Sequence, residues 1–267
     1  NPNHPGALVG LARNLALTDP ENADKSLQKA LEVNPQFADA HLLVAAQKID
    51  SERYDDALPS IDKALAVNSN SVDAHSLLAT IHYLRGKTAD FEREARNVLS
   101  VNPQDNDLYY TLADSCVSVR LYKEAVGLAR EALKLNPRDF RSMSLLGINL
   151  MRIGEEDEGR EVLELAYKGD AFNVWTVNTL TLLDSFSNFD RFDTAHFKVK
   201  LHKRESVALR PYVSDLLENA YKTLTTKYGF SPEGPITFEM FPDHGDFAVR
   251  ALGLPGLGAL GEIGRAH

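Results

Sequence analysis

The sequence is poor in residues that would cross-link the chain or anchor it in a membrane. It contains a single cysteine, Cys116, so no disulfide can form within the chain. No run of about 18 apolar residues occurs, and the sequence therefore predicts no membrane-spanning helix. A signal peptide is not visible either.

Positive charge is also scarce. The chain has 29 Lys and Arg residues against 38 Asp and Glu residues, a net charge of −9 that argues against general nucleic-acid binding. The charge is uneven, because residues 190–230 carry eight basic and five acidic side chains. This region therefore has a net charge of +3, within an otherwise acidic chain.

What the sequence does contain is a repeat with a fixed period. Its mark is an Asn-Pro dipeptide, and Asn68-Ser69 is a weakened copy of it in the same register. The dipeptides in register are Asn34-Pro35, Asn102-Pro103 and Asn136-Pro137. Asn1-Pro2 lies one residue out of phase. A fixed period of about 34 residues predicts stacked supersecondary units, none of which can bury its apolar face alone.

Each repeat is predicted to form two helices, because its apolar residues recur at spacings of three, four and seven. Small residues occur where the helices must approach closely. In the first helices these are Ala45, Ala79, Ala113 and Gly147, and in the second helices Ala57, Ala64, Ala125 and Ala132. Gly86 and Gly154 are placed in the turn between the two helices. The closing proline cannot continue a helix and therefore ends the unit.

The chain resembles the tetratricopeptide repeat (TPR) family over about residues 3–171, as five units. The resemblance is carried by small residues at the eighth and twentieth positions and by the terminal Asn-Pro. Tyr54 and Tyr122 supply an aromatic residue at the seventeenth position. The resemblance to this family implies a mainly α fold, a TPR α-solenoid of helix-turn-helix repeats. The unit at 140–171 departs from the pattern at Gly159 and at Gly169-Asp170-Ala171, so residues 172–188 are expected to form a capping helix.

Residues 189–267 follow a different pattern and predict a small, incomplete α+β segment. Thr194–His202 alternates between apolar and polar residues, as a half-buried strand does. A helix over 206–228 with Gly229 as its C-terminal cap follows, then a strand at Pro235–Phe241. Asp243 is expected to cap a short helix near 245–251, and the glycine-rich end to lack regular structure. The chain opens inside a repeat and stops in this stretch, so we expect both ends to be internal to a longer sequence.

The strand-helix-strand order is similar to that of bacterial proteins that join TPRs to a peptidase MA-like, gluzincin-type domain. The stretches that carry this resemblance are 197–205, 209–230, 235–247 and 253–261. In such enzymes two His residues of an HExxH helix bind zinc, and the Glu activates a water molecule. This sequence has no HExxH and no His-Glu dipeptide. The resemblance therefore implies a zinc helix beyond residue 267 and no catalytic residue or cofactor within this chain.

Four groups of residues have both a functional and a structural interpretation. His41, His75 and His82 suggest a metal site between repeats, but packing is favoured because no carboxylate or cysteine converges on them in sequence. Asp243, His244 and Asp246 could hold a metal, but a turn with a helix N-cap is favoured. A catalytic role for Cys116 would need a histidine and an activating environment, and the sequence indicates neither, so it is expected to be a small buried apolar side chain.

The fourth group is a basic stripe made of Lys198, Lys200, His202, Lys203 and Arg204. Its functional interpretation is nucleic-acid binding. A solvated face, or an edge strand that lysine protects from aggregation, is favoured in a chain of negative charge. A basic seat for the acidic solenoid is a third interpretation.

By resemblance to TPR domains, positions 2, 5, 9 and 12 of each first helix line an inner groove. The candidate peptide-binding residues at these positions are Asp39, Leu42, Asp73, Ser76, Thr80, Tyr83, Tyr110, Asp114, Arg141, Ser144 and Ile148. This set is apolar and aromatic with acidic positions. It lacks the Lys, Asn and Arg set with which some TPRs bind a C-terminal carboxylate. It predicts a peptide with apolar and some basic side chains.

These observations lead to three hypotheses about function. The first is a non-catalytic scaffold that binds a protein or peptide on its concave face. The second is the N-terminal portion of a zinc metallopeptidase whose repeats present the substrate. The third is a structural adaptor in a larger assembly. An acidic residue at position 2 is common in TPR proteins, and the groove could instead receive part of its own chain.

Overall fold

The period of the sequence reappears in the helix boundaries. A computed structural model describes residues 3–16 and 18–255. It begins with α1 (Pro5–Leu15). The later first helices of the repeats are α3 (Ala38–Asp50), α5 (Val72–Leu84), α7 (Asn106–Ser118) and α9 (Phe140–Arg152). The second helices are α2 (Pro20–Val33), α4 (Tyr54–Val67), α6 (Thr88–Val101), α8 (Tyr122–Leu135) and α10 (Glu156–Gly169). From α2 onward, equivalent helices start at the interval that the Asn-Pro marks predict.

The chain divides into two compact units, Asn1–Leu145 and Leu146–His267, which we call unit 1 and unit 2. The division falls within α9. The domain limits suggested by the sequence, at residues 171 and 188, stay a prediction.

Unit 1 consists of helical hairpins whose cores contain small residues. The alanines predicted to lie between the helices are fully buried, among them Ala45, Ala57 and Ala79. Ile61 and Ile81 fill the space around them. Because alanine has the smallest side chain with a Cβ, each pair of helices can approach closely, and the larger apolar side chains pack around the contact.

The asparagine that closes each repeat has an extended backbone and forms a turn. The φ angle of Asn34 is −139°, and its Oδ1 accepts a hydrogen bond from the backbone N–H of Gln36 at 3.0 Å. Asn136 makes the same bond to Arg138 at 3.1 Å. In this way the side chain satisfies a backbone donor just after the helix end.

Left-handed backbone occurs instead in the turn between the two helices of a repeat. The φ angles of Gly86 and Gly154 are 67° and 89°. Glu52 and Arg120 occupy the equivalent positions with φ angles of 58° and 67°. A residue with a Cβ is strained in this region of backbone conformation. Two repeats have glycine at this position, and the other two accept the strain at Glu52 and Arg120.

Unit 2 continues after α10 with α11 (Val174–Ser185) and a short 3₁₀ turn, Phe186–Asn188. A three-stranded sheet and two helices follow. They are β1 (Phe189–Asp193), β2 (Phe197–His202), α12 (Lys203–Tyr228), β3 (Ile236–Met240) and α13 (His244–Leu252). The strand order is β1-β2-β3, with β1 antiparallel and β3 parallel to β2. The sequence predicted β2, α12, β3 and α13 but not β1.

Two apolar clusters form the core of unit 2. The alternation predicted for β2 is confirmed, because Phe197, Val199 and Leu201 are buried against Val213 and Leu217 of α12. The second cluster joins the last repeat to α11 and the start of the sheet. Its buried members are Met151, Leu163, Leu182, Leu183, Phe186 and Phe189.

The arrangement confirms the fold class expected from the sequence, a solenoid of helical repeats followed by a small α+β segment. Gly229 ends α12 with a φ angle of 61°, as its predicted role as a C-terminal cap requires. The glycine-rich end predicted to lack regular structure falls mainly in residues 256–267, which lie outside the described residues. Within the described ranges, no helix combines the length and the apolar character needed to cross a membrane.

Candidate peptide-binding face

The first helices of unit 1 form one continuous surface. Helices α1, α3, α5 and α7 pack in succession, and α3 also contacts α7, two repeats further along. Helices two repeats apart can touch only where the stack curves toward itself. We therefore infer that this side is the concave one, and we call the accessible side chains of α3, α5 and α7 the inner face.

The structure separates the predicted site residues into accessible and buried ones. Asp39, Asp73, Asp114 and Arg141 are exposed, and Tyr83 and Tyr110 are half-buried. The buried ones are Leu42, Ser76, Thr80 and Ser144. In the present structure these four therefore support the face from beneath.

Two of the predicted residues show why position alone does not make a side chain accessible. Thr80 is fully buried, and its hydroxyl donates to the carbonyl oxygen of Ser76 at 2.9 Å. Ile148 lies in unit 2, where it packs against the cluster that contains Met151 and Leu182. Whether the predicted set binds a peptide stays a prediction.

Carboxylates from successive repeats lie near one another on the inner face. Partial desolvation and repulsion by Asp39, Asp105 and Asp107 raise the pKa of Asp73, although Arg13 opposes this. Asp39, Asp73 and Asp107 are the second residues of α3, α5 and α7 and occupy one position in three successive repeats. Because the same position is acidic in three successive repeats, these aspartates form a row along the stack.

A second pair of carboxylates spans two repeats. Surrounding protein and the charge of Asp114 raise the pKa of Asp50, and surrounding protein also raises that of Asp114. Both side chains are nevertheless exposed to solvent. A side chain that water can reach but that protein surrounds lies in a concavity, where part of its hydration is replaced by protein.

Arg141 occupies the position in α9 that aspartate holds in the three preceding repeats. Its Nη2 donates to Asp107 Oδ1 at 2.5 Å, and its guanidinium lies 4.8 Å from the ring centre of Tyr110. Burial and the neighbouring carboxylates raise the pKa of Tyr110 to about 12, although Arg141 opposes this shift. This cluster shows how the inner face accommodates a cation, between a carboxylate and an aromatic ring.

Sequence reasoning missed Asp50 as a part of this face. It is the thirteenth residue of its repeat, one beyond the positions taken from the family pattern. Its neighbour Asp114 is the ninth residue of α7, two repeats further along the chain, and the sequence contains no signal that pairs the two.

His41 and His75 have hydrogen-bond partners, whereas the buried Nδ1 of His82 has none among the described residues and lies 4.0 Å from Asp90 Oδ2. His41 Nε2 lies 2.8 Å from the carbonyl oxygen of Pro35, and His75 Nε2 lies 3.0 Å from that of Ser69, the equivalent atom. His75 Nδ1 also lies 2.7 Å from Glu94 Oε2. Within residues 3–16 and 18–255, no group of three or more His, Cys, Asp or Glu side chains forms a candidate metal site.

Two further structural interpretations are confirmed. Asp243 caps α13, because its Oδ1 accepts hydrogen bonds from the backbone N–H groups of Gly245 and Asp246 at 2.6 and 3.4 Å. Cys116 is fully buried, and its burial raises the pKa of the thiol to about 12. The thiol is therefore protonated and inert near neutral pH.

The interpretation of the basic stripe as a solvated face or edge strand is wrong for Lys200. Strand β2 is the central strand, and only 6% of Lys200 is exposed. Its Nζ pairs with Glu156 of α10 and with Glu239 of β3, the latter at 2.8 Å. The prediction failed because β1 was not recognised and β2 was treated as an edge. The ion pair between Lys200 and Glu156 of α10 is the kind of contact expected from the third interpretation, in which the basic stripe packs against the repeats.

The buried charges around Lys200 form a network. Arg250 Nε donates to Glu239 Oε2, and Lys200 Nζ lies 4.6 Å from the ring centre of Phe186. Burial alone would raise the pKa of Glu239. Arg250 and Lys200 outweigh it, so the pKa lies below its ordinary value.

Comparison with known proteins agrees with this architecture. Residues 48–116 and 110–174 each match a family model of the tetratricopeptide repeat. Residues 48–174 are therefore similar to tetratricopeptide repeats. No curated protein sequence matches the chain.

Several solved structures are similar to this chain. TTC0263, a thermophilic TPR protein in Thermus thermophilus, is 16% identical, with coverage of 66% of this chain and 97% of its own and a TM-score of 0.51. Pseudomonas aeruginosa pilF is 17% identical and covers 85% of this chain and 93% of its own, with a TM-score of 0.41. YrrB, described as a TPR protein with an unusual peptide-binding site, is 20% identical and covers 60% and 84%, with a TM-score of 0.33. At these identities the likeness concerns the fold alone, and of these three only TTC0263 supports it.

Proposed function

We propose that this TPR chain is a non-catalytic scaffold whose inner face binds a protein segment with basic and apolar side chains. The observation that supports the proposal is the raised pKa of three exposed carboxylates, Asp50, Asp73 and Asp114, on three first helices. Repulsion by neighbouring carboxylates at Asp50 and Asp73, and partial desolvation of all three, cost free energy in the unbound protein. A lysine or arginine of a ligand would relieve both.

The chemistry of the face also indicates which ligands it disfavours. An acidic segment, or a free C-terminal carboxylate, would add negative charge to a surface where the carboxylates already repel one another. The same argument disfavours nucleic acid. Tyr83 and Tyr110 are half-buried on α5 and α7, and Tyr110 lies near Asp107 and Asp114. Both offer ring surface to the apolar side chains or to a guanidinium.

Fluorescence anisotropy with labelled peptides tests this proposal. The probe is a peptide of alternating arginine and leucine, and the comparison peptide replaces arginine with glutamate. We expect the basic peptide to bind and the acidic peptide not to bind, with affinity that falls as salt rises. The double variant Asp73→Asn/Asp114→Asn should weaken binding of the basic peptide by about tenfold or more.

Asp62 supplies the matched control for these variants. It is an exposed aspartate on α4, a second helix, so Asp62→Asn removes one charge without touching the inner face. If Asp62→Asn weakens binding as much as either inner-face substitution, the effect comes from net charge and the proposal is wrong. Equal binding of the acidic peptide would contradict it as well.

The metallopeptidase interpretation of the C-terminal segment stays a separate prediction. What supports it is that β2, α12 and β3 occur in the order predicted from the resembling stretches. It requires an HExxH helix in sequence that follows His267. The genomic sequence downstream of this residue tests the requirement. A stop codon directly after it, or downstream sequence without the motif, would remove the enzymatic alternative.

A further inference from the structure

Helix α12 carries a row of large apolar side chains that remain exposed among the described residues. Tyr212, Leu216, Leu224 and Tyr228 are 76%, 68%, 50% and 68% exposed, and Ala220 lies midway in the row. These residues are four apart, so their side chains form one ridge of the kind that packs into the groove of another helix. We call them the α12 ridge.

The α12 ridge lies beside the face that α12 already buries. Val213, Leu217 and Tyr221 pack on the sheet of unit 2, and each is one residue away from a member of the ridge. The apolar side of α12 is therefore wider than the sheet covers. Single exposed apolar residues are common on protein surfaces, but a contiguous row of this size indicates a binding surface.

Positive charge lies at both ends of the α12 ridge. Arg204 is exposed and lies in the same four-residue row, two steps before Tyr212. At the other end, Lys227 Nζ lies 5.2 Å from the ring centre of Tyr228. Asp215, in the neighbouring row, is the acidic residue closest in position to the ridge. The surface that fits this ridge is therefore apolar or aromatic with acidic groups near both ends.

We propose that the α12 ridge docks on the inner face of unit 1 of a second copy of this chain. The proposal builds on the proposed function, because it names a ligand for the same face. The inner face offers both features, because Tyr83 of α5 and Tyr110 of α7 are half-buried on the helices that also carry the exposed Asp73 and Asp114. The charges of the two surfaces are opposite, which favours this encounter over others.

The dimensions of the two surfaces agree. The ridge runs from Tyr212 to Tyr228 of α12, which is about 24 Å of helix at about 1.5 Å per residue. Helices α3, α5 and α7 lie side by side, so their axes span about 16–20 Å at about 8–10 Å per packed pair. With their side chains the three helices are about 26–32 Å wide, since each helix is about 10–12 Å in diameter. Arg204 and Lys227 are about 34 Å apart along α12 at about 1.5 Å per residue, so a helix that lies across the three places them at opposite edges of the inner face.

Pairing of two ridges is the main competing arrangement. Because both ends of the ridge are basic, two paired ridges bring like charges together whether the helices run parallel or antiparallel. Docking on the inner face brings opposite charges together instead. Changes on the inner face should therefore weaken the docked arrangement and leave paired ridges unaffected, and this difference decides between them.

Sedimentation velocity on the full chain tests the proposal directly. We expect the average mass to rise with protein concentration and to fall as salt is added. Leu216→Glu should abolish this association, because it places a carboxylate on the ridge opposite other carboxylates. Leu165→Glu on α10, where the leucine is 51% exposed, is the matched control and should leave the association unchanged. Circular dichroism confirms that each variant is folded.

A charge-reversal exchange identifies the partner surface. The ridge variant Arg204→Glu/Lys227→Glu should be monomeric, because its ridge then has the same sign of charge as the inner face. The face variant Asp73→Lys/Asp114→Lys, in which Asp39, Asp50 and Asp107 remain, should self-associate more weakly than the native chain. Mixed together, the two variants should form a complex, since the glutamates on the ridge of one meet the lysines on the face of the other. Asp215→Lys in the native background should strengthen self-association by about tenfold if one new ion pair forms.

Each alternative outcome overturns the proposal. A chain that stays monomeric at all concentrations has no such contact. Association that Leu216→Glu abolishes but the face variant leaves unchanged shows that the ridges pair with each other. The proposed function is tested independently, because the ridge variant should still bind the basic peptide while the face variant should not. Self-association can therefore fail while peptide binding holds.

Discussion

The inner face of unit 1 and the sheet of unit 2 place carboxylates in opposite environments. On the inner face, Asp73 and Asp114 are exposed, near other carboxylates, and have raised pKa values. In unit 2, Glu239 is buried between Lys200 and Arg250 and has a lowered pKa. A charge that serves the fold is neutralised by a partner within the chain. A carboxylate that lies near other carboxylates on an accessible surface has no such partner within the chain and can pair with a cation of a ligand.

The two units also differ in where their structural information lies. In unit 1 each hairpin repeats the last, so most contacts join neighbouring helices. In unit 2 the contacts of Lys200 join residues 44 and 39 positions away. Unit 1 can therefore tolerate a local defect in one repeat, whereas unit 2 depends on a few long-range contacts.

The largest effect should come from breaking the buried network of unit 2. Lys200→Ala leaves Glu156 without its closest cation and Glu239 with only Arg250, so we expect a loss of about 3–5 kcal/mol of stability. Urea unfolding followed by the fluorescence of Trp175, the single tryptophan and a residue of unit 2, measures this loss.

Lys198 provides the control for this substitution. It lies two residues away on β2, points to the same side, and is exposed. Lys198→Ala should change stability by less than about 0.5 kcal/mol. If both substitutions cost the same, the buried network contributes no more than a surface lysine does.

Overpacking the last repeat should have the next largest effect. A Cβ added at Gly147 would lie 2.6 Å from Leu163 Cγ and 3.0 Å from the carbonyl oxygen of Gly159. Gly147→Ala should therefore destabilise unit 2 by about 1–3 kcal/mol, which the same Trp175 measurement can detect.

Gly127 shows the opposite case in unit 1. It lies in α8, and a Cβ there would meet no atom within 4 Å. Gly127→Ala should stabilise the chain by about 0.5–1 kcal/mol, because alanine favours the helix. Circular dichroism during urea unfolding measures this gain. A destabilising Gly127→Ala, or a neutral Gly147→Ala, would contradict the packing described for these helices.

The repeats could be predicted from the sequence because their signals are local. The Asn-Pro marks, the apolar spacing and the small residues all lie within one repeat unit, and the helices start at the expected intervals. Strand β1 could not be predicted in the same way. Its sequence, FDRFD, buries Phe189 and Phe192, which are three apart, so the alternation typical of a strand is missing.

The candidate site was predictable only in part, for a related reason. The period explains why Asp39, Asp73 and Asp107 form a row. The burial of Thr80 and the approach of Asp50 to Asp114 depend on how neighbouring repeats pack, which no single repeat encodes. The sequence therefore indicates the acidic character of the face better than it indicates which side chains are accessible.

A smaller effect is expected in the turns of unit 1 that hold a left-handed residue with a side chain. Glu52→Gly and Arg120→Gly should each stabilise the chain by a few tenths to about 1 kcal/mol, because relief of strain exceeds the extra flexibility of the unfolded glycine. Gly86 already provides the favourable residue in the repeat between them, so Gly86→Ala should have the opposite effect. Thermal unfolding compares the three. If Glu52→Gly and Arg120→Gly both destabilise the chain, the backbone at these two positions is not strained.

The smallest effects should distinguish the two units by pH. Because the pKa of Asp114 is raised, ionisation of its carboxyl costs the folded state free energy, fully at neutral pH and not at all below about pH 3.9. Asp114→Asn should therefore stabilise the chain slightly at pH 7, with the difference vanishing as the pH approaches 4. In unit 2, hydrogen bonds from Thr194 and His196 lower the pKa of Glu218 to about 2. The stabilisation that ionised Glu218 contributes is present above pH 4.5 and is lost as the pH falls toward 2. Glu218→Gln should therefore destabilise the chain at pH 7 and still do so at pH 5. Urea unfolding of both variants across this pH range measures the two trends. If both substitutions change the stability with the same sign, the carboxylates of the two units are not in opposite environments.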